Sequence, residues 1–311
     1  MTNTDYVRTA VCETDLEDIN ELAKTANYDN GVAQLKLFMQ ISSSDWEVLR
    51  NDRGELVAYS ISNILPNGLR FGVQTVVRKQ DRKQRIVSRY LWGRHVFPKF
   101  PGEAGYHSTS TTTHQIWAKR RHWGFKMHGW RGALNHTQIP PVTDMADVAT
   151  ICRLTTPEEA ELLYAYDEPV VNLRRRDFLQ GWCFPQHNKK KWTCGNDVIV
   201  FGAMSRDGRL LGYGVLHYYG NNLVTLAPVY AETCRIGQCL LYKLAENIPK
   251  DPTIETFLLF PATNKTTMAF CAKVGLRRTE SLILGMDSGF LSYTKSITLE
   301  KVYANHEFWP F

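Results

Sequence analysis

The sequence lacks the features that mark several classes of protein. It contains no run of about 18 apolar residues, so no membrane-spanning helix is expected. Its seven cysteines are odd in number and never spaced as CxxC, which is typical of reduced thiols in a cytoplasmic or nuclear compartment. Residues 1–15 lack the basic and apolar regions of a secretory signal. We therefore expect a cytoplasmic protein, with the nucleus as the alternative.

Metal chemistry also has little support in the sequence. The nearest approach to a zinc site is Cys183, His187 and Cys194, and nothing elsewhere repeats their spacing. No metal is expected.

What is present is the composition of an ordinary globular protein. Hydrophobic residues make up 43% of the 311 residues and charged residues 22%, which excludes a disordered or collagen-like chain. A domain usually has roughly 100–200 residues, so the length suggests two domains or one large one. A chain of this size buries about three quarters of its unfolded surface and needs no disulfides to fold.

The net charge of +6 is concentrated in one segment, residues 78–94. This segment holds one acidic residue, Asp81, and seven basic ones, so it alone carries a net charge of +6. Three interpretations are open: a solvated start of a helix, a cradle for phosphate groups, or contact with a nucleic-acid backbone beside Tyr90 and Trp92. The seven basic residues are Arg78, Lys79, Arg82, Lys83, Arg85, Arg89 and Arg94.

The first half of the chain predicts a mixture of strands and helices. A capping box of Thr14 and Glu17 predicts a helix, and the turn at residues 51–54 predicts a hairpin. A charged loop, residues 79–84, follows a strand and leads into another helix. The predicted elements are strands at 6–11, on both sides of 51–54, at 69–78, 105–111 and 124–134, and helices after Thr14, after Gln84 and at 113–123, the last ending at Gly124.

The same order of elements returns after a predicted linker that begins at residues 140–141. Thr156 and Pro157 predict the start of a helix, Asp207-Gly208 a hairpin turn, and Gly275 the end of a late helix. A final strand follows, and the tail to Phe311 is predicted to be irregular. We interpret the repetition as an internal duplication with two domains, a first unit of residues 1–139 and a second unit of residues 140–311. The fold class is α+β, a mixed sheet covered by helices.

Two stretches of the second unit resemble a known family. Residues 198–232 (VIVFGAMSRDGRLLGYGVLHYYGNNLVTLAPVYAE) are similar to its hairpin and Gly-Tyr-Gly strand, and residues 257–289 (FLLFPATNKTTMAFCAKVGLRRTESLILGMDSG) to its Asn–helix–Gly–strand ending. The family is the GNAT superfamily of acyl-CoA N-acyltransferases, in particular its tandem-domain YitH-like class. Residues 6–134 resemble a GNAT core. The resemblance implies two tandem GNAT-like domains, each a twisted mixed sheet flanked by helices.

The most diagnostic segment of the family is a loop of the form (Q/R)xxGx(G/A) at the start of a helix. Free backbone N–H groups and the helix dipole bind a pyrophosphate there. Residues 82–87 match this loop in the first unit, where Arg82 fits while Arg85 and Val87 occupy the glycine positions. Residues 232–237 match it in the second unit and keep only Gly237. Because its loop is basic, the first unit is predicted to hold the cofactor.

The resemblance implies acetyl-CoA or another acyl-CoA as the cosubstrate. Backbone groups of strand residues 74–77 would pair with the pantetheine arm as an additional strand, and one N–H would hold the thioester carbonyl. The basic loop would hold the phosphates. The predicted cofactor-binding residues are Gln74, Val76, Val77, Arg78, Arg82, Lys83, Gln84, Arg85, Ile86, Val87 and Thr113.

A transferase of this type also needs a base for the incoming ammonium group. His107 and His114 lie on and just after the strand that would face the acceptor, and they are the predicted catalytic residues, with a structural role as the alternative. Cys271 occupies the position of the tyrosine that often protonates the leaving thiolate, and a buried inert thiol is its alternative. The basic runs 174–176 and 189–191 are interpreted as solvated faces.

These observations lead to a hypothesis about function. The chain is predicted to be an N-acyltransferase in which an amine, a small molecule or a lysine side chain, attacks the thioester directly without a covalent enzyme intermediate. The second unit would be a substrate wall or a stabilising half. One alternative is a degenerate GNAT fold that binds a CoA-like ligand or a protein partner without catalysis. The other is nucleic-acid binding through residues 78–94.

Overall fold

The structure is a computed structural model of the whole chain. It describes residues 6–26, 28, 31–41, 43–84, 103–108, 122–142, 150–187, 197–219, 222–286 and 288–305.

The described residues form thirteen strands and several helices. The strands are β1 (Val7–Ala10), β2 (Ser43–Arg50), β3 (Leu56–Ile64), β4 (Arg70–Val77), β5 (Glu103–Ser108), β6 (His122–Gly132), β7 (Thr150–Arg153), β8 (Asp197–Met204), β9 (Leu210–Tyr218), β10 (Leu223–Ala231), β11 (Glu255–Pro261), β12 (Arg277–Met286) and β13 (Val302–Ala304). The α-helices are α1 (Leu16–Lys24), α2 (Val32–Ile41), α3 (Pro157–Val171), α4 (Arg176–Cys183), α5 (Cys234–Glu246), α6 (Lys265–Lys273) and α7 (Ser288–Thr294).

Several local signals act as the sequence predicts. The Thr156 hydroxyl accepts from the Glu159 N–H, Glu159 accepts from the Thr156 N–H, and Pro157 opens α3. The turns at Asn51–Gly54 and Asp207-Gly208 join antiparallel strands, with the φ of Gly54 at 75° and that of Gly208 at 79°. Such positive φ values favour glycine. The two predicted hairpins and the start of α3 are confirmed.

Other local predictions are wrong. Gly124 does not end a helix, because residues 122–132 are the strand β6, which pairs with two neighbours. Residues 113–121 of that predicted helix lie outside the described residues. The capping box before α1 is formed by Cys12 and Asp15, whose carboxylate accepts from the Cys12 N–H at 2.8 Å, and not by Thr14 and Glu17. The described part of the tail, residues 288–305, is not irregular: it carries α7 and β13.

The strands form one continuous sheet that crosses both units. Its order is β1-β2-β3-β4-β5-β12-β6-β11-β10-β9-β8-β7, and β13 pairs with β10 off this path. The last strands of the two units are exchanged. β12 lies between β5 and β6 of the first unit, and β6 pairs with β11 of the second. Strand pairing therefore crosses the predicted domain boundary at residues 139/140, which stays a prediction.

Strand directions place the two units in opposite orientations. β5, β12, β6 and β11 are antiparallel neighbours in that order, while β4 is parallel to β5 and β10 is parallel to β11. β4 and β5 therefore run opposite to β10 and β11. The carboxyl ends of these two parallel pairs lie at opposite ends of the strands.

The two main hydrophobic cores lie on opposite faces of the sheet. One contains residues of α1 and α2 from the first unit together with residues of α3, α4 and α7. The other contains residues of α5 and α6. Side chains alternate between the faces along β10, where Tyr230 belongs to the first core while Val229 and Ala231 belong to the second. Because the first core draws on both units, they are packed as one body.

The described helices include none that is long and apolar enough to cross a membrane.

Candidate functional site

The parallel strands β4 and β5 separate after three residue pairs, of which the last is Gly72 with Gly105. On its other side β4 continues to pair with β3, and the register shifts there because Val73 is an extra residue. Such a β-bulge bends a strand. Among the described residues no strand pairs with the edge of Thr75–Val77 that faces β5. We call the space between this edge and β5 the first cleft. Unpaired N–H and C=O groups along a strand edge can bind an extended chain that carries amides.

The side chains of this stretch of β4 alternate between core and surface. Gln74 and Val76 are buried, and the Gln74 Oε1 accepts from the Tyr59 hydroxyl at 2.9 Å. Thr75 is exposed, and its hydroxyl lies 3.1 Å from that of Ser60. The Arg78 N–H donates to the Val57 carbonyl of β3, so the alternate residues Gln74 and Val76 also turn their backbone groups toward β3. A ligand in the first cleft would therefore meet the backbone of Thr75 and Val77.

A 3-10 helix, Lys79–Gln84, follows β4. Before it, Arg78 is held by two carboxylates: its Nε lies 2.6 Å from Asp81 Oδ2 and its Nη1 lies 3.0 Å from Glu55 Oε2. The hydrogen bond to Asp81, and then that to Glu55, raises the pKa of Arg78. The charge of Arg78 is thus already balanced within the protein.

Two exposed basic side chains supply the positive charge at the end of β4 that no carboxylate in the described residues is seen to balance. Lys79 and Arg82 are exposed, and the Arg82 Nε donates to the Val77 carbonyl at 3.0 Å. This bond holds the Arg82 guanidinium against the last residue of β4, at the carboxyl end of the first cleft. Charge-assisted hydrogen bonds from such a group are well suited to phosphate oxygens.

The structure locates the remaining predicted residues only in part. His107 lies on β5, two residues beyond the last pair with β4, and is paired with Ile283 of β12. Lys83 and Gln84 end the 3-10 helix. The other predicted positions, which lie outside the described residues, are Arg85, Ile86, Val87, Thr113 and His114. The roles of all these residues stay predictions.

The second unit has an equivalent cleft, and it is occupied. β10 and β11 also separate after three residue pairs, the last being Thr225 with Phe257. A register shift follows between Leu226 and Val229. Into this second cleft, the space between residues 226–231 of β10 and β11, runs the short strand β13. β13 was not predicted from the sequence, because a strand of three residues is too short to show a recognisable alternating pattern.

A buried polar network lies beside the second cleft and was also missed. Arg175 donates from Nε and Nη2 to the two carboxylate oxygens of Asp167, at 2.8 and 2.7 Å, and from Nη2 to the Tyr230 hydroxyl at 3.1 Å. The Tyr213 hydroxyl donates to Asp167 as well. The Arg175 and Asp167 side chains are 1% exposed. The interpretation of residues 174–176 as a solvated face is therefore wrong for Arg175. The acidic residue eight positions earlier, Asp167, is the signal in the sequence that pointed to a buried ion pair for Arg175.

Cys271 is buried, and burial raises the pKa of its thiol. This environment is that of an inert thiol rather than of a proton donor. In the part of the chain that the structure describes, no group of three or more His, Cys, Asp or Glu side chains is arranged to hold a metal ion.

Comparison with known proteins relates this geometry to a family. Residues 163–287, less than half of the chain, match the family model described as an acetyltransferase (GNAT) domain. The match lies in the second unit and ends before β13. No curated protein sequence matches the chain.

Solved structures resemble nearly the whole chain. A putative acetyltransferase from Pyrococcus horikoshii is 12% identical with a TM-score of 0.69, covering 96% of this chain and 94% of its own. A tandem GNAT protein from the clavulanic acid biosynthesis pathway is 15% identical with a TM-score of 0.63, covering 92% and 99%. N-myristoyltransferase from Saccharomyces cerevisiae, solved with bound myristoyl-CoA, is 11% identical with a TM-score of 0.57, covering 92% and 79%.

At these identities the likeness shows the fold alone. Taken with the strand order, it confirms the predicted fold class, two GNAT-like units of mixed sheet flanked by helices. Within the second unit, the stretch of residues 163–287 is similar to a GNAT acetyltransferase domain.

Proposed function

We propose that this protein is an acyl-CoA-dependent N-acyltransferase whose acyl-CoA site is the first cleft. One observation carries the proposal: the edge of Thr75–Val77, with which no described strand pairs on the β5 side, ends directly at the cationic Arg82. An extended amide-bearing arm next to an anionic end group is the chemistry that this arrangement fits, and pantetheine with its pyrophosphate has that form. The GNAT match and the fold likeness to acyltransferases support the same reaction class.

The proposed reaction is a direct transfer. The nitrogen of a neutral amine attacks the thioester carbonyl, the C–N bond forms, and the C–S bond breaks to release the CoA thiolate. A backbone N–H of β4 would stabilise the oxyanion, and a base would take the proton from the ammonium group. His107, on the β5 side of the first cleft, is the base we propose, with His114 as the second candidate. The acceptor would be a small amine or a lysine side chain.

A thermal-shift titration with acetyl-CoA tests the site. Ligand at a hundred times its Kd should stabilise the wild-type protein by about 2.7 kcal/mol. The variant Arg82→Glu with Arg85→Glu should lose most of this shift, because each charge-assisted contact contributes about 1.5–3 kcal/mol. The matched control reverses two other exposed arginines, Arg206→Glu with Arg209→Glu, in the turn between β8 and β9.

The control should keep the full shift. An unshifted wild-type protein with acetyl-CoA and longer acyl-CoA thioesters would overturn the proposal. Binding without turnover on any amine would instead favour the non-catalytic binding module. Salt-sensitive binding of single-stranded oligonucleotides, lost in the same Arg82 and Arg85 variant, would favour the nucleic-acid alternative.

A further inference from the structure

The short strand β13 is bound to both walls of the second cleft. On β10, Val229 is paired with Ala304 and Tyr230 with Val302. On β11, the Asn305 N–H donates to the Leu259 carbonyl at 2.6 Å. Residues 302–305 are each at most 2% exposed. The chain's own segment thus uses the backbone groups that the bulge and the separation of the strands leave unpaired.

Side chains of the second unit fasten β13 in place. The Asn264 Nδ2 donates to the Val302 carbonyl at 2.8 Å, and the Thr267 hydroxyl donates to the Tyr303 carbonyl at 2.7 Å. Lys301, just before the strand, forms an ion pair with Glu232 at 2.8 Å. Asn264 belongs to the segment that resembles the family, and in this chain it binds the chain's own strand.

The start of α5, where the family loop would bind phosphate, also packs against β13. A Cβ on Gly237 would lie 2.7 Å from the Tyr303 ring, so glycine is needed there for the ring to pack. The Thr233 hydroxyl accepts from the Ile236 N–H, and Glu232 places a carboxylate beside the helix start. A phosphate at this helix start would have to displace the Thr233 hydroxyl from the Ile236 N–H and would lie beside the ion pair of Glu232 with Lys301.

We propose that β13 is a permanent strand ligand of the second cleft, held in the position that an acyl-CoA arm takes in the first. The second cleft is accordingly a site for an extended peptide, its occupant is residues 302–305 of the same chain, and each chain binds one acyl-CoA. The stoichiometry rests on the proposed function, whereas the occupation of the second cleft does not.

Hydrogen exchange on the full-length protein, with and without saturating acetyl-CoA, tests the occupation. The amides of residues 302–305 should exchange at least a hundredfold more slowly than in a free synthetic peptide of residues 296–311, and acetyl-CoA should not accelerate them. Exchange at the rate of the free peptide would overturn the inference. Loss of protection when acetyl-CoA is added would also overturn it, because the ligand would then displace the strand.

Binding measurements separate this inference from the proposed function. Equilibrium dialysis should give one acetyl-CoA per wild-type chain, and two would overturn the inference. No binding at all would overturn the proposed function while leaving the exchange result to decide on β13. A chain ending at Thr298 should bind the peptide of residues 299–311 in trans. If its second cleft binds acetyl-CoA and does not bind the peptide, the inference is wrong. If this shortened chain does not fold, the exchange measurement on the full chain decides.

Discussion

Arg175 and Arg176 are adjacent in the sequence and lie in opposite environments. In the ion pair of Arg175 with Asp167 each side chain is 1% exposed, whereas in the pair of Arg176 with Glu161 each side chain is about half exposed. Burial removes water from both members of the first pair, so either charge without its partner would be strongly destabilising. The sequence shows only a run of three arginines. Which one is buried depends on how α3 and α4 pack on β9 and β10.

We expect Asp167→Asn to lower the free energy of unfolding by about 3–5 kcal/mol, because it leaves the Arg175 charge buried and unpaired. Glu161→Gln, the matched control, removes the partner of an exposed arginine and should cost less than about 1 kcal/mol. Urea unfolding curves of the two variants measure the difference. Equal losses would contradict the environment that we assign to Arg175.

Cys234 is an exposed thiol beside the strand in the second cleft. Hydrogen bonds from Tyr303, and to a smaller extent from Thr266, lower the pKa of the Cys234 thiol. Because the thiolate is the nucleophile, its reaction with an alkylating agent should reach half its maximal rate at a lower pH than that of an ordinary cysteine. Tyr303→Phe keeps the ring but removes the hydroxyl, so the midpoint should move to higher pH.

Peptide mapping by mass spectrometry after alkylation at a series of pH values follows Cys234 separately. Cys12, an exposed cysteine of the first unit that is far in sequence from Cys234, serves as the internal reference. The extent of its labelling at each pH should be the same in the wild type and in Tyr303→Phe. An unchanged midpoint for Cys234 in the variant would rule out the hydrogen bond from Tyr303.

At the scale of elements, the two units are joined by the packing of α2 on α4. The ring of Phe38 in α2 lies 5.1 Å from that of Trp182 and 6.3 Å from that of Phe178, both in α4. Neither helix appears among the predicted elements. In α4 the charged residues at its start obscure a short amphipathic pattern. Long-range contact stabilises such helices more than their own propensity does.

A double-mutant cycle measures this contact. Phe38→Leu and Trp182→Leu should each lower the free energy of unfolding by about 1 kcal/mol or more, and together by less than their sum. The coupling should be about 0.5–1.5 kcal/mol, the usual contribution of an aromatic pair. Phe38→Leu with Phe270→Leu, which lies in the core on the opposite face of the sheet, should be additive within about 0.5 kcal/mol. Additivity in both cycles would contradict the packing of α2 on α4.

At the scale of the whole molecule, the exchange of β6 and β12 makes the two units one folding body. Each unit would lack an inner strand of the sheet without the other. A protease site inserted within residues 143–149, in the predicted linker, allows the chain to be cut after folding. The two fragments should stay together in size-exclusion chromatography and unfold in a single transition.

The uncut protein with the same insertion is the control for that experiment. Fragments that separate in native buffer, or that unfold at two different temperatures, would show that the exchanged strands β6 and β12 contribute little to holding the two units together. Dissociation is expected only once urea has disrupted the shared sheet.

The sequence by itself determined the features that depend on neighbouring residues. The capping box of Thr156 and Glu159 and the glycines of the two hairpin turns act through backbone groups within four residues of each other, so the sequence contains all that is needed to predict them. The repeated order of elements likewise indicated two related units and their fold class. The basic end of β4 was recognisable because its charge is concentrated in one segment.

Only the tertiary structure decided which strands are neighbours and which cleft is filled. β12 pairs with β5 across more than 170 residues of chain. Asn305 pairs with Leu259 in a cleft beside a bulge of β10, and no local sequence pattern predicts that bulge. Gly237 looked like a remnant of a phosphate loop, and its contact with Tyr303 gives it another role. Such pairings depend on burial and on unpaired backbone groups that exist only once the sheet has formed, and this is why they could not be predicted from the sequence.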